Sequence, residues 1–117
     1  MNPYLEALEL VKQHWGTSGQ TALAKCILSL YNPNNAFSMG EILAPLDERY
    51  TRVVLNIVQE YARVGETEAL RVAGRWVADE FPQFIDLAIA MSEARAELRS
   101  KWEREREEEN RRLYPND

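Results

Sequence analysis

Residues 47–65 read DERYTRVVLNIVQEYARVG, and this stretch decides the fold class. Tyr50, Val53, Val54, Ile57, Tyr61 and Val64 recur at three- and four-residue steps, which lines them along one face of an α-helix and not along a strand. Asp47 supplies the carboxylate that accepts from the free amides of a first turn, and Gly65 stands where a left-handed C-terminal residue is wanted.

The same spacing continues in both directions, and no segment alternates with a period of two. Upstream, Ser38 with Glu41 three residues later forms a capping box that opens a short helix limited by Pro45. Asn32-Pro33-Asn34-Asn35 stops a helix of about Gly19 to Tyr31, whose buried face is Leu23, Cys26, Ile27 and Leu30. A first helix begins with Asn2 as cap and Pro3 at the first helical position. Its stripe is Tyr4, Leu8, Val11 and Trp15; Gly16 closes it, and Thr17 or Ser18 caps the next helix. Downstream, Thr67 caps a helix to about Phe81 with Leu70, Ala73, Trp76 and Val77 inward. Pro82 restarts the chain, and Phe84, Leu87, Ala88 and Met91 continue the core pattern. The reading is all-α: a compact antiparallel bundle of five or six helices.

From Glu93 the character changes. Residues 93–112 hold seven acids and seven bases, whereas residues 1–92 hold eleven acids and seven bases, so the first region carries four of the five net negative charges and Asp117 supplies the fifth. The expected organisation is a bundle domain over 1–92 and a charged helical extension over 93–117. A single helix over 82–113 is roughly 45–50 Å long, against a diameter of about 30 Å for a 90-residue domain, so its last turns project. The pairs Glu97–Lys101, Glu107–Arg111 and Glu108–Arg112 are oriented to support helix there, each contributing about 0.2–0.5 kcal/mol.

Composition narrows the function classes. A hydrophobic fraction of 45% is that of a folded domain. No apolar run reaches the ~20 residues of a membrane span, and the start of the chain lacks a secretory pattern, so the expected setting is cytoplasmic. Cys26 is the one cysteine, which suits a reducing compartment. The acidic balance argues against nonspecific attraction to nucleic acid.

Candidate chemistry is sparse. His14 is the one histidine and reads as a helix-terminal imidazole favoured by the helix dipole. Cys26 lies mid-stripe, where a thiol behaves as a small hydrophobe. One histidine and one cysteine do not make a nitrogen–sulfur zinc site, and the glycines form no phosphate-cradling loop. No catalytic, cofactor-binding or metal residue is assigned, and the chain reads as a non-catalytic protein-interaction module.

Two segments carry that reading. One is the charged helix with Leu98, Trp102 and Arg106, where Trp102 either covers an edge of the bundle or meets another chain, a second copy or a foreign partner. Phe84, Leu87, Met91, Ala94 and Leu98 follow a/d spacing, but the seam ends before the three to four heptads of a coiled coil. The other is the loop 31–37, where Tyr31 and Phe37 flank amide side chains; anchoring of the loop to the core is the favoured reading of these aromatics. The alternative function is a small helix-turn-helix-like DNA-binding regulator, with Arg49, Arg52 and Asn56 (and Thr51) on the 47–64 helix. Asp47 and Glu48 at the end that would enter the groove weigh against it.

Ser18-Gly19-Gln20 through Leu30-Tyr31-Asn32, followed by Phe37-Ser38-Met39 and Leu46-Asp47, resembles the layout of a family of short uncharacterised helical proteins of bacterial plasmids, integrated elements and phages. The resemblance covers about residues 5–65. It implies a helical architecture and a mobile-element setting, with no catalytic residues and no site carried over.

Overall fold

The computed structural model describes residues 2–116, so Met1 and Asp117, the last residue of the expected extension, lie outside it. Among the described residues the chain forms six α-helices and no strand: α1 (Pro3–Gln13), α2 (Ser18–Tyr31), α3 (Met39–Leu43), α4 (Glu48–Val64), α5 (Glu68–Glu80) and α6 (Pro82–Leu113).

Most boundaries follow from local chemistry. Asn2 Oδ1 accepts from the amides of Tyr4 (2.9 Å) and Leu5 (3.4 Å), and Thr17 Oγ1 accepts from Gln20 N–H at 3.1 Å. The Ser38–Glu41 box closes in both directions, at 3.1 and 2.8 Å. Asp47 Oδ1 accepts from Tyr50 N–H at 2.9 Å. Each such cap is worth about 1 kcal/mol. Thr67 departs from expectation: it occupies the cap position of α5, but its hydroxyl is buried and caps nothing.

Helix α2 lies at the centre, in contact with α1, α3, α4 and α5. Tyr4 and Val11 of α1, Leu23, Ile27 and Leu28 of α2, Val54 and Ile57 of α4, and Leu70 and Val77 of α5 are fully buried in one shared core. Because α2 has neighbours on several sides, its burial extends past the single stripe to Ala22, Ala24 and Leu28. The α2–α5 crossing is close. A Cβ at Gly74 would stand 2.2 Å from Tyr31 Cγ and 2.7 Å from its Cβ, so only glycine fits.

Two polar side chains stitch the helix ends. Gln20, 2% exposed, donates from Nε2 to Val11 C=O at 2.6 Å and accepts Gly16 N–H at 2.9 Å, joining the end of α1 to the start of α2. Tyr4 donates its hydroxyl to Gly65 C=O at 2.9 Å, which fixes the α4–α5 turn to α1. Gly65 has φ +70° and ψ −151°, an extended positive-φ geometry essentially confined to glycine, and not the left-handed helical one expected.

Four expected core positions are placed differently. Trp15 is 57% exposed because α1 ends at Gln13, and the chain turns away before reaching it. Its ring instead stacks on Phe81 (5.8 Å) and tilts against Trp76 (6.2 Å). Tyr61 and Val64 are exposed because the 17-residue α4, about 25 Å long, outruns the core in its last turns. Leu87 is 48% exposed, while Phe84 beside it is partly buried and stacks on Phe81 at 5.2 Å.

Helix α6 is 32 residues long, about 48 Å. Phe84, Ile85, Ala88 and Met91 seat its first turns, and every residue from Glu93 to Leu113 is exposed. The molecule accordingly measures 63 × 30 × 25 Å. No helix among the described residues is long and apolar enough to cross a membrane.

Candidate functional site

Residues 93–113 are helical without core contact, which makes them the first place to look for a working surface. Glu, Arg, Ala, Leu and Lys dominate the segment, and these are strong helix formers. Leu98 is 46% and Trp102 55% exposed, with Leu113 and Tyr114 exposed further out. The structure thus places Trp102 away from the core, not folded back onto it. None of the three expected ion pairs lies within 4.0 Å; Lys101 instead reaches Glu105 at 4.0 Å.

Projected at 100° per residue, the charges of this segment separate. The half of the circumference centred between Leu98 and Trp102 carries Arg95, Arg99, Lys101, Arg106 and Arg112 with Glu105 and Glu109: five bases against two acids. The opposite half carries Glu93, Glu97, Glu103, Glu107 and Glu108 with Arg104 and Arg111: five acids against two bases. Among the described residues, Arg95, Arg99 and Arg106 have no carboxylate within 4.0 Å. The apolar residues therefore sit in a basic stripe. Counting charges along the sequence hides this, because the two halves cancel. The signal that finds it is the helical projection.

The loop between α2 and α3 meets the root of the same helix. Phe37 is buried, edge-on to Phe84 (6.3 Å), with Lys25 Nζ 5.4 Å from its ring centroid. Tyr31 is half-buried against Gly74. Asn35 donates from Nδ2 to Leu28 C=O at 3.0 Å. Both aromatics anchor the loop. What remains open is a cleft of about 340 Å³ between the loop and α6, floored by Ile85, Ala88 and Ile89 and rimmed by Asn34 and Glu93. Sequence reasoning did not find the cleft, since it exists only where the loop and α6 meet.

On α4, Arg49, Arg52 and Asn56 are exposed and fall on one side at steps of three and four. Arg52 is engaged by Glu48 at 3.2 Å, and the preceding helix α3 has only five residues.

His14, Asp47 and Arg49 line a second cleft of about 360 Å³ with the start of α2. The His14 ring lies edge-on to Tyr50 at 5.8 Å, while the Asp47 carboxylate caps α4 and the Thr17 hydroxyl donates to His14 C=O at 2.8 Å. Asp47 and Thr17 are thus engaged at helix ends. Cys26 is 2% exposed, and burial pushes its thiol up to about 12, so the nucleophilic thiolate is suppressed. Among the described residues no three His, Cys, Asp or Glu side chains converge as metal ligands would.

Compared with protein-family models, curated proteins and solved structures, the chain matches none.

Proposed function

We propose that this chain is a non-catalytic protein-interaction module: a compact helical bundle that presents the outer half of α6, a projecting charged helix, to another chain. The observation that carries the reading is that Leu98 and Trp102 stand exposed within a basic half-face of a helix that has no core to pack on. Aromatic and arginine side chains are the residue types that dominate protein interfaces. The cleft at the root of α6 gives the same partner a place to insert an apolar side chain.

The partner is either a protein of the host cell or a second copy. In the first form, supported by the resemblance to mobile-element proteins, the chain covers and modulates a host protein in the cytoplasm, and its acidic bundle mimics nucleic acid. Removing residues 99–117 tests the module. Oligomeric state or capture of a binding protein is expected to be lost while the bundle stays folded. Both unchanged would end the reading.

A small DNA-binding regulator is the second reading, favoured by the shared exposure of Arg49, Arg52 and Asn56. The Glu48–Arg52 pair and the acidic first turn of α4 count against it. Retardation of DNA in a gel at physiological salt, abolished by Arg49→Ala with Arg52→Ala, would put it first.

A further inference from the structure

We infer that the cleft between the 31–35 loop and α6 takes an extended segment of a partner protein, one with an apolar side chain and a lysine or arginine two residues to either side. The inference rests on the interaction-module reading and names the chemistry of its partner. The cleft holds about 340 Å³, at the small end of the ~300–1,000 Å³ of ligand pockets, which is room for one apolar side chain and its backbone. Its apolar part is Ile85, Ala88 and Ile89, and Ile89 is 51% exposed although Ala88 beside it is buried.

Charge selects the occupant. Turning round α6 from Ala88 at about 100° per residue, Ile85 comes at about 60° and Ile89 at about 100°. Glu93, Asp86 and Glu97 follow at about 140°, 160° and 180°. The apolar floor is thus bordered, on the side away from buried Ala88, by a row of carboxylates. All three are exposed, and none has an ion-pair partner among the described residues. Neither wall supplies a base: residues 26–40 carry no charged side chain, and residues 82–94 carry Asp86 and Glu93 alone. Lys25 is turned to Glu41 at 3.5 Å and to the rings of Phe37 and Phe84. On α5, whose Gly74 meets Tyr31, Arg71 is paired with Glu68 at 3.0 Å and Arg75 lies outside the cleft lining. Arg95 and Arg99 continue the bearing of Ala88 outward, about 160° and 120° round from Glu93. The field at the cleft is therefore negative, and it favours a cationic segment over an acidic or purely apolar one.

Spacing sets the pattern of the segment. Asp86 and Glu93 lie about 10.5 Å apart along the axis with Ile89 between them, and Glu97 stands about 6 Å further out. An extended chain advances about 3.3 Å per residue and turns alternate side chains to the same face. An apolar residue seated on Ile89 therefore brings its second neighbours on either side within reach of Asp86 and Glu93. The next position of the same face meets Glu97. A row about 16.5 Å long suits a chain better than one small molecule. Across the cleft, exposed Asn34 offers its amide to the backbone of the segment.

Fluorescence anisotropy with the full chain tests this. The probe is a short fluorophore-labelled peptide with a central leucine and an arginine two residues to either side. It is expected to bind with a dissociation constant of about 10–100 μM. Ile89→Asp, and separately Asp86→Lys with Glu93→Lys, should each weaken binding about tenfold or more. All three positions are exposed, so the bundle stays folded, which circular dichroism checks. A counterpart peptide with glutamates for the arginines should bind the doubly substituted chain better than the parent chain. Equal binding of both peptides to the parent chain would overturn the proposal, as would undiminished binding once the leucine is serine, or no binding at ~1 mM. Self-association of the parent chain that Ile89→Asp abolishes would place a second copy in the cleft and overturn it too. The module reading would survive each of these results if removal of residues 99–117, which spares every residue of the cleft, still abolished binding to another protein.

Discussion

Val54 and Leu98 are both aliphatic residues on long helices, yet one is fully buried and the other 46% exposed. The helix around Val54 is held by what it covers. It buries Tyr50, Val53, Val54 and Ile57 against α1 and α2, and full burial of each aliphatic side chain is worth about 1.5–3 kcal/mol. The helix around Leu98 covers nothing, and only propensity and weak side-chain pairs hold it. Isolated helices are marginal in water. The bundle is therefore held by its own core, whereas the outer half of α6 has no core of this chain to pack on.

The contrast can be broken hardest at the α2–α5 crossing. Gly74→Ala drives a methyl into Tyr31, whose own Cβ is too near to move aside. It should cost roughly 3 kcal/mol and lower the thermal midpoint by about 10 °C, read by circular dichroism at 222 nm. Gln20→Ala comes next. It leaves Val11 C=O and Gly16 N–H without partners in a buried setting, for an expected loss of about 2–3 kcal/mol in urea unfolding.

Alkaline pH sharpens the same picture. Burial raises the Cys26 thiol from its ordinary 9.0 to about 12 in the folded chain, so the unfolded chain gives up this proton first. Between those values the folded state binds more protons, and stability falls as pH rises, by up to about 1.4 kcal/mol per unit. Buried Tyr4 and Tyr50 are raised in the same direction and add to the loss. Cys26→Ala should be less stable at neutral pH but show a shallower decline above pH 9.0. A slope identical to that of the parent chain would show that the thiol is not protected by burial. The smallest effect belongs to the outer helix. Leu98→Ala in the dilute monomer should change the unfolding free energy of the bundle by less than about 0.5 kcal/mol.

How far the sequence was legible follows the same division. The capping box at Ser38–Glu41, the Asp47 cap and the 3.6-residue periodicity are local signals, and each is realised where it was read. Gln20, Gly74 and the displaced Trp15 were not legible, because each depends on which helix lies opposite. A buried glutamine looks polar until its two backbone partners are known, and a helical glycine looks like a weakness until Tyr31 is laid against it. Leu87 was read as core because periodicity shows which residues share a face without showing where the neighbouring helix ends. At the candidate site, Leu98, Trp102 and Arg106 were visible as residue types on a charged helix. Their grouping with Arg95 and Arg99 required the projection, and the cleft beside Tyr31 required the fold.

Hydrogen exchange at several protein concentrations measures the difference between the two regions directly. Amides of residues 23–28 and 53–57 should be protected equally at every concentration, since their order is intramolecular. Amides of residues 98–112 should exchange fast when the chain is dilute, since no core of this chain covers them. Protection of 98–112 that is already full at the lowest concentration, and does not change with it, would contradict the account.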